Sequence, residues 1–143
     1  MTGGTRAHAR LAARLLVALA SRLPAECEAF GSDLKVQGET AVRYPDATIV
    51  CHPGEPDDTV VRPTVVFEVL SPSTAMTDRR VKPLDYAGIP SVQACVLLEQ
   101  DRPRVAVLRR VRGWLEEILE GPGAVLSLPE VGVELPLSEL YRP

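Results

Sequence analysis

Long apolar runs are missing from this chain: the longest, Leu15–Ala20, falls far short of the ~20 residues that cross a bilayer. A strong charge of either sign is missing too, since 16 Lys and Arg stand against 19 Asp and Glu for a net −3. That balance excludes a generally basic nucleic-acid coat protein and an acidic disordered tail. Cysteine is scarce. Cys27, Cys51 and Cys95 are odd in number, widely spaced and form no CxxC. No disulfide framework is expected, and a reducing cytoplasm is the simplest compartment. The 13 prolines and 10 glycines are scattered rather than clustered, so no low-complexity linker divides the chain. No segment repeats, and no GxGxxG, P-loop or nucleophile elbow is present. The length, 143 residues, predicts one domain over residues 1–143 with one packed core.

What is there begins with a helix. Residues 1–25 hold Arg6, Arg10, Arg14 and Arg22 and no acid, a pattern shared with organelle transit peptides. Leu11, Leu15, Leu19 and Leu23 recur every four residues beside the arginine stripe, which is the pattern of an amphipathic helix with one core-facing side. The second reading is the expectation.

Strand signals follow Pro24. Cys27–Phe30 and Leu34–Gln37 read as one irregular strand bent around Gly31-Ser32, and Thr40–Cys51 as an extended segment interrupted by Pro45. His52–Arg62 reads as a loop. Thr64–Leu70 is the most apolar short run, predicted to be a central strand covered on both faces. Ser71–Thr74 is a turn and Asp78–Ala87 a short helix with Pro83 in its first turn. Val92–Leu98 and Arg104–Arg110 read as a hairpin, followed by short strands at Trp114–Leu119, Val125–Leu128 and Val131–Leu135 and a final helical turn near Tyr141. The expected class is α/β or α+β, a sheet with helices packed on it, an N-terminal amphipathic helix and short C-terminal antiparallel strands.

Glu68 is anomalous, because it sits between Phe67 and Val69 in an otherwise apolar strand. Burying an ionised carboxylate without a partner costs several kcal/mol. The ordinary alternative is a glutamate that reaches water or an arginine. Asp46 makes a sharper case. If the two extended segments form a hairpin centred on Asp57, Asp46 falls directly opposite Glu68, each eleven positions from the centre. Opposed side chains lie ~5 Å apart at Cβ, where two like charges repel by about 3 kcal/mol at an effective dielectric of ~20. A cation between them, or a proton on one, relieves this. Two carboxylates, a strand carbonyl such as that of Val69, and water match the hard-oxygen preference of Mg²⁺.

Lys82 is the third candidate. Only Lys35 and Lys82 are lysine among the 16 cationic residues, and a compact ammonium suits roles that a guanidinium does not. The alternative is a surface lysine beside Arg79, Arg80 and Asp85. Elsewhere, Arg102, Arg104, Arg109, Arg110 and Arg112 could touch phosphates or form a solvated face neutralised by Glu116, Glu117 and Glu120. Cys51-His52 without a matching pair is poor evidence for zinc.

The blocks Tyr44-Pro45-Asp46, Val66-Phe67-Glu68-Val69-Leu70-Ser71-Pro72-Ser73-Thr74 and the spaced Asp78, Lys82 and Tyr86 resemble the Uma-type restriction endonuclease family of the PD-(D/E)XK nuclease superfamily. So do Gly88-Ile89-Pro90-Ser91, Gln100–Val105, Gly113-Trp114 and the closing Leu135–Tyr141. The resemblance covers roughly residues 6–141 and implies a mixed sheet flanked by helices, a divalent-metal site and hydrolysis of phosphodiester bonds in DNA. It implies Asp46, Glu68 and Lys82 as catalytic residues. Asp46, Glu68 and the Val69 backbone carbonyl become ligands of Mg²⁺ or Mn²⁺, and Lys82 replaces the usual ExK lysine, whose place Leu70 holds. Asp33 and His8 also stand where such proteins often carry an acid and a histidine. The chain departs from the family pattern twice: no counterpart is found for an acid common upstream of the first long helix, and Pro83 directly follows Lys82.

The expected function is therefore a metal-dependent DNA endonuclease. The acidic net charge predicts a homodimer or larger homo-oligomer that gathers its arginines, with no membrane partner. A catalytically inactive nuclease-fold module for nucleic-acid or protein binding is the alternative, and a structural domain with Glu68 paired to arginine is the third reading.

Overall fold

The computed structural model describes residues 4–52, 54–57, 60–72 and 79–143. The chain opens with α1 (Arg6–Ala20), capped by Thr5, whose Oγ1 accepts a hydrogen bond from the His8 N–H at 3.1 Å. The leucine periodicity is realised, since Leu11, Leu15 and Leu19 are buried while Val17 faces solvent. Beyond it lie β1 (Glu28–Phe30), β2 (Val36–Gln37), β3 (Val42–Arg43), β4 (Ala47–Val50) and β5 (Val65–Leu70). They are followed by α2 (Lys82–Ala87), β6 (Ala94–Glu99), β7 (Arg104–Arg109), β8 (Glu116–Glu120), β9 (Val125–Leu128), β10 (Val133–Pro136) and α3 (Leu137–Leu140).

Six strands form the main sheet in the order β1-β4-β5-β6-β7-β8. Only the β5–β6 pair is parallel; the rest of that sheet is antiparallel. A parallel pair needs a crossover, and α2 lies on the segment that makes it. Every residue of β5 is buried, as expected for its near-continuous apolar run. Its side chains alternate between two cores. Val65, Phe67 and Val69 pack with α1, the β9–β10 hairpin and α3. Val66 and Leu70 pack with Val36, Tyr86, Val92, Cys95 and Leu97 on the opposite face. Among the described residues no helix is long and apolar enough to cross a membrane.

Several expectations need correction. Cys27–Phe30 and Leu34–Gln37 are two strands rather than one, because β1 pairs with β4 whereas β2 pairs with β3 in a separate ladder. Thr40–Cys51 likewise breaks into β3 and β4 at Tyr44–Asp46, where Pro45 has no N–H for a ladder. The hairpin strand expected from Val92 starts two residues later, at Ala94. Asp78, Ser73 and Thr74 lie outside the described residues; the helix there runs over Lys82–Ala87 with Pro83 in its first turn. Contrary to expectation, Cys27 and Cys51 form a disulfide, leaving Cys95 free and buried. The reason is register: Glu28 faces Val50 in the β1–β4 ladder, so the next positions outward face each other, with Cα atoms 4.1 Å apart. Distance along the chain says nothing of such cross-strand neighbours.

Candidate active site

The site grows from the β4–β5 register. Ala47 faces Phe67, Thr48 faces Val66 and Ile49 faces Val65. Run one step past its last pair, this register sets Asp46 across from Glu68, whose carboxyl feels the Asp46 charge. β4 has ended there, and the Asp46 side chain takes over the ladder: its Oδ2 accepts the Val69 N–H at 2.7 Å. Its other oxygen, Oδ1, lies 3.3 Å from His8 Nε2 on the first turn of α1. Asp46 thus ties the end of the central strand to the start of the N-terminal helix.

Glu68 is only 3% exposed. Tyr86 donates its hydroxyl to Oε1 at 2.6 Å, and the Lys82 ammonium donates to Oε2 at 3.1 Å. Both come from α2 at positions i and i+4, which share one helix face. Pro83 does not disturb this arrangement, because the first turn of a helix has no use for its missing N–H. Burial pushes the Glu68 carboxyl up to about 7; Lys82 and the Tyr86 hydroxyl pull it down, while the neighbouring Asp46 charge adds to the rise. Tyr86 is in turn held protonated, by burial first and by Glu68 second. Among the described residues it is Tyr86 and Lys82, rather than an arginine, that hold the Glu68 side chain, against the reading that paired it with arginine.

A buried polar cluster behind Lys82 is absent from the sequence expectations. Asp85, which the surface-lysine alternative for Lys82 set beside it in solvent, is 4% exposed. It accepts from the Thr40 N–H at 2.6 Å, the Thr40 hydroxyl at 3.0 Å and Arg43 Nε at 2.7 Å. Burial opposes ionisation, but the Thr40 N–H and Arg43 outweigh it and hold the carboxyl below its usual range. Gly38 lets the two segments close up, because a Cβ there would overlap Asp85 Oδ2. Arg43 lies three residues before Asp46 and Asp85 three after Lys82, so this cluster clamps together the two segments that carry site residues. Asp85 gives no signal in one sequence; Tyr86 does, through its i+4 spacing from Lys82.

The other candidates disperse. Asp33 is exposed in the turn after β1. Arg109 is buried on Glu130 and the Ser127 carbonyl, not on Glu116 or Glu117. Arg110 donates to the carbonyls of Val92, Ala87 and Ile89 and lies over the Trp114 ring. Arg104 sits beside Glu99 and Glu120, and Arg102 bonds Glu99. Among the described residues, no group of three His, Cys, Asp or Glu side chains is gathered that could hold a metal by itself.

Residues 1–138 match the Uma2 family, described as "Putative restriction endonuclease". This chain belongs to the Uma2 family. An uncharacterized protein of Synechocystis sp., slr1290, is 30% identical over 149 aligned positions, covering 99% of this chain and 78% of that one. The fold is similar to the crystal structure of "a putative nuclease belonging to DUF820" from Anabaena variabilis, with a TM-score of 0.81 and 17% identity over 98% of this chain and 83% of the other. Membership in Uma2 accounts for a mixed sheet flanked by helices and supports a nuclease-like function.

Proposed function

We propose that this Uma2 chain is a Mg²⁺- or Mn²⁺-dependent endonuclease that hydrolyses phosphodiester bonds in DNA. What supports the reading is the β4–β5 register, which run one step past Ala47–Phe67 sets Asp46 across from Glu68, together with the Asp46 charge acting on Glu68 and the Lys82 ammonium on Glu68. The donor set fits a hard cation. Two carboxylates meet where one of them resists ionisation, and a divalent ion offsets that resistance. Asp46, Glu68 and the Val69 carbonyl would hold it, with water in the remaining positions as Mg²⁺ prefers. When bound, such an ion supplies Lewis-acid charge and lowers the pKa of water.

The chain's own groups do the rest. The Val69 N–H fixes the Asp46 carboxylate, and the Tyr86 hydroxyl fixes Glu68, so both are oriented before any ligand arrives. The Lys82 ammonium sets a positive charge beside the carboxylate pair, where it can offset charge developing on the phosphate. His8 reaches Asp46 from α1 and can orient it further.

The test is nicking of supercoiled plasmid with Mn²⁺ or Mg²⁺ by wild type and by Asp46→Ala, Glu68→Ala and Lys82→Ala. Each substitution is expected to slow cleavage by about 10²-fold or more; nicking unaffected by all three ends the reading. The lack of a third gathered ligand among the described residues favours the alternative, an inactive nucleic-acid-binding or protein-interaction module. DNA retardation without cleavage supports that alternative. We read the working unit as a homodimer or larger homo-oligomer, and sedimentation showing a stable monomer at working concentration overturns this. With the disulfide formed, a cytoplasmic location rests only on where such a substrate is found.

A further inference from the structure

Two of the three arginines of α1, Arg10 and Arg14, line one depression. Arg10 and Arg14 are one turn apart on a helix whose first turn also carries His8, the residue facing Asp46. With Arg102 and Arg142 they line a depression of about 310 Å³, floored in part by Leu11 and Tyr141. Asp101 is the one acid on its wall. A second depression, of about 380 Å³, is lined by Leu70–Pro72, two residues beyond Glu68, by Arg79 and Glu99, and by the same turn at Gln100–Arg102; Glu99 accepts from both Arg79 and Arg102. The two therefore meet at that turn. It is anchored on both sides: Gln100 Nε2 donates to Thr5 Oγ1 at 2.8 Å, and the Tyr141 hydroxyl donates to the Glu99 carbonyl at 2.7 Å.

We propose that this path is the track for the nucleic-acid backbone on one side of the scissile bond. The inference rests on the nuclease reading and gives its substrate a direction. The charge is local. The whole chain is −3, yet the first depression gathers Arg10, Arg14 and Arg142 beside an Arg102 held on Glu99, with Asp101 as the one acid in its lining, and α1 contributes no acid. Arg10 and Arg14 are separated by ~6 Å along the helix axis, and Arg102 and Arg142 line the same depression, so more than one phosphate of a polymer could be met there. Arg14 also holds the C-terminal wall in place, because its Nη1 donates to the carbonyls of Arg142 and Leu140, at 2.9 and 3.3 Å.

The experiment measures binding of a fluorescein-labelled 20-base-pair duplex by anisotropy in EDTA, across a salt series. Arg14 is left intact because it holds the wall. The Arg10→Ala/Arg102→Ala/Arg142→Ala variant is expected to bind about 10-fold more weakly near 100 mM salt. Its slope of log K against log salt should be shallower by about 2–3. A control, Lys35→Ala/Arg62→Ala/Arg112→Ala, removes the same charge from exposed positions elsewhere and is expected to stay within about twofold of wild type. Equal thermal midpoints for all three proteins exclude unfolding as the cause. Wild type that binds no duplex, a track variant that binds like wild type, or a control that loses as much as the track variant each overturns the proposal. Failure of the nuclease reading is separate: track-dependent binding with no cleavage in Mn²⁺ leaves the track standing and removes the enzyme.

Discussion

The two faces of the main sheet are built from the same strand and obey different rules. Toward α1, β5 presents Val65, Phe67 and Val69 to a large core of buried apolar residues. Toward α2 it presents Val66, Glu68 and Leu70, and there two buried carboxylates, Glu68 and Asp85, lie among a smaller apolar set. The first face holds the fold by excluding water. The second gives up some of that burial to keep Lys82, Tyr86 and Arg43 aimed at acids. A polar group costs little there only while its partners are in place. The apolar face should therefore be governed by volume, and the polar face by hydrogen bonding as well.

The largest effect expected from breaking this contrast is on the apolar side. Phe67→Ala leaves a cavity in a fully buried layer, and urea unfolding should show a loss of about 4 kcal/mol. A loss below ~1 kcal/mol means the layer collapses freely and the contrast is overstated.

Asp85→Asn comes next. It strips the anion from a half-buried Arg43 and from the Thr40 N–H, at a cost of about 3 kcal/mol. The sign with pH follows from the direction of the shift. The Asp85 carboxyl is held below its usual range, so its stabilisation is present above its unfolded pKa and disappears as pH falls through the folded one. The Asn variant should show that much less acid sensitivity. Because the cluster clamps the segments bearing Asp46 and Lys82, its plasmid-nicking rate should fall about 10-fold even below the melting transition. An unchanged rate confines Asp85 to the fold.

The smallest effect has the opposite sign and separates the two acids. The Glu68 carboxyl is pushed up to about 7 from 4.5, so the native state holds a proton that the unfolded chain has released. Stability must then fall as pH rises between those values. Glu68→Gln removes the ionisation and should melt later than wild type at pH 8, by the equivalent of about 2–3 kcal/mol, while losing activity. Parallel pH–stability curves for the two proteins sink this account of Glu68. Mn²⁺ should narrow the gap by stabilising wild type and not the Gln variant.

Much of this is legible in one sequence. The leucine repeat of α1 and the apolar run of β5 are local patterns, and burial follows directly from them. The facing of Asp46 and Glu68 is readable too, because an antiparallel register counts inward from both ends of a loop. Lys82 stands out only through the rarity of lysine. The disulfide and the burial of Asp85 run against what the sequence suggests, for one shared reason. Cys27 with Cys51, and Asp85 with Thr40 and Arg43, are joined by strand pairing and crossover across 24 residues and more than forty. Local pattern carries no trace of that.

The sequence by itself determined the N-terminal helix and its inward face, the apolar central strand, and that this strand would carry an acid. Those are consequences of side-chain periodicity and the aversion of hydrocarbon to water. Only the tertiary structure decided how that acid is held, by the Tyr86 hydroxyl and the Lys82 ammonium from one helix face. The parallel crossover lays α2 over β5, and the break at Pro45 frees Asp46 to cap the strand and touch His8. Such contacts depend on how distant segments are held in three dimensions, and that is fixed by the packed whole rather than by any segment of it.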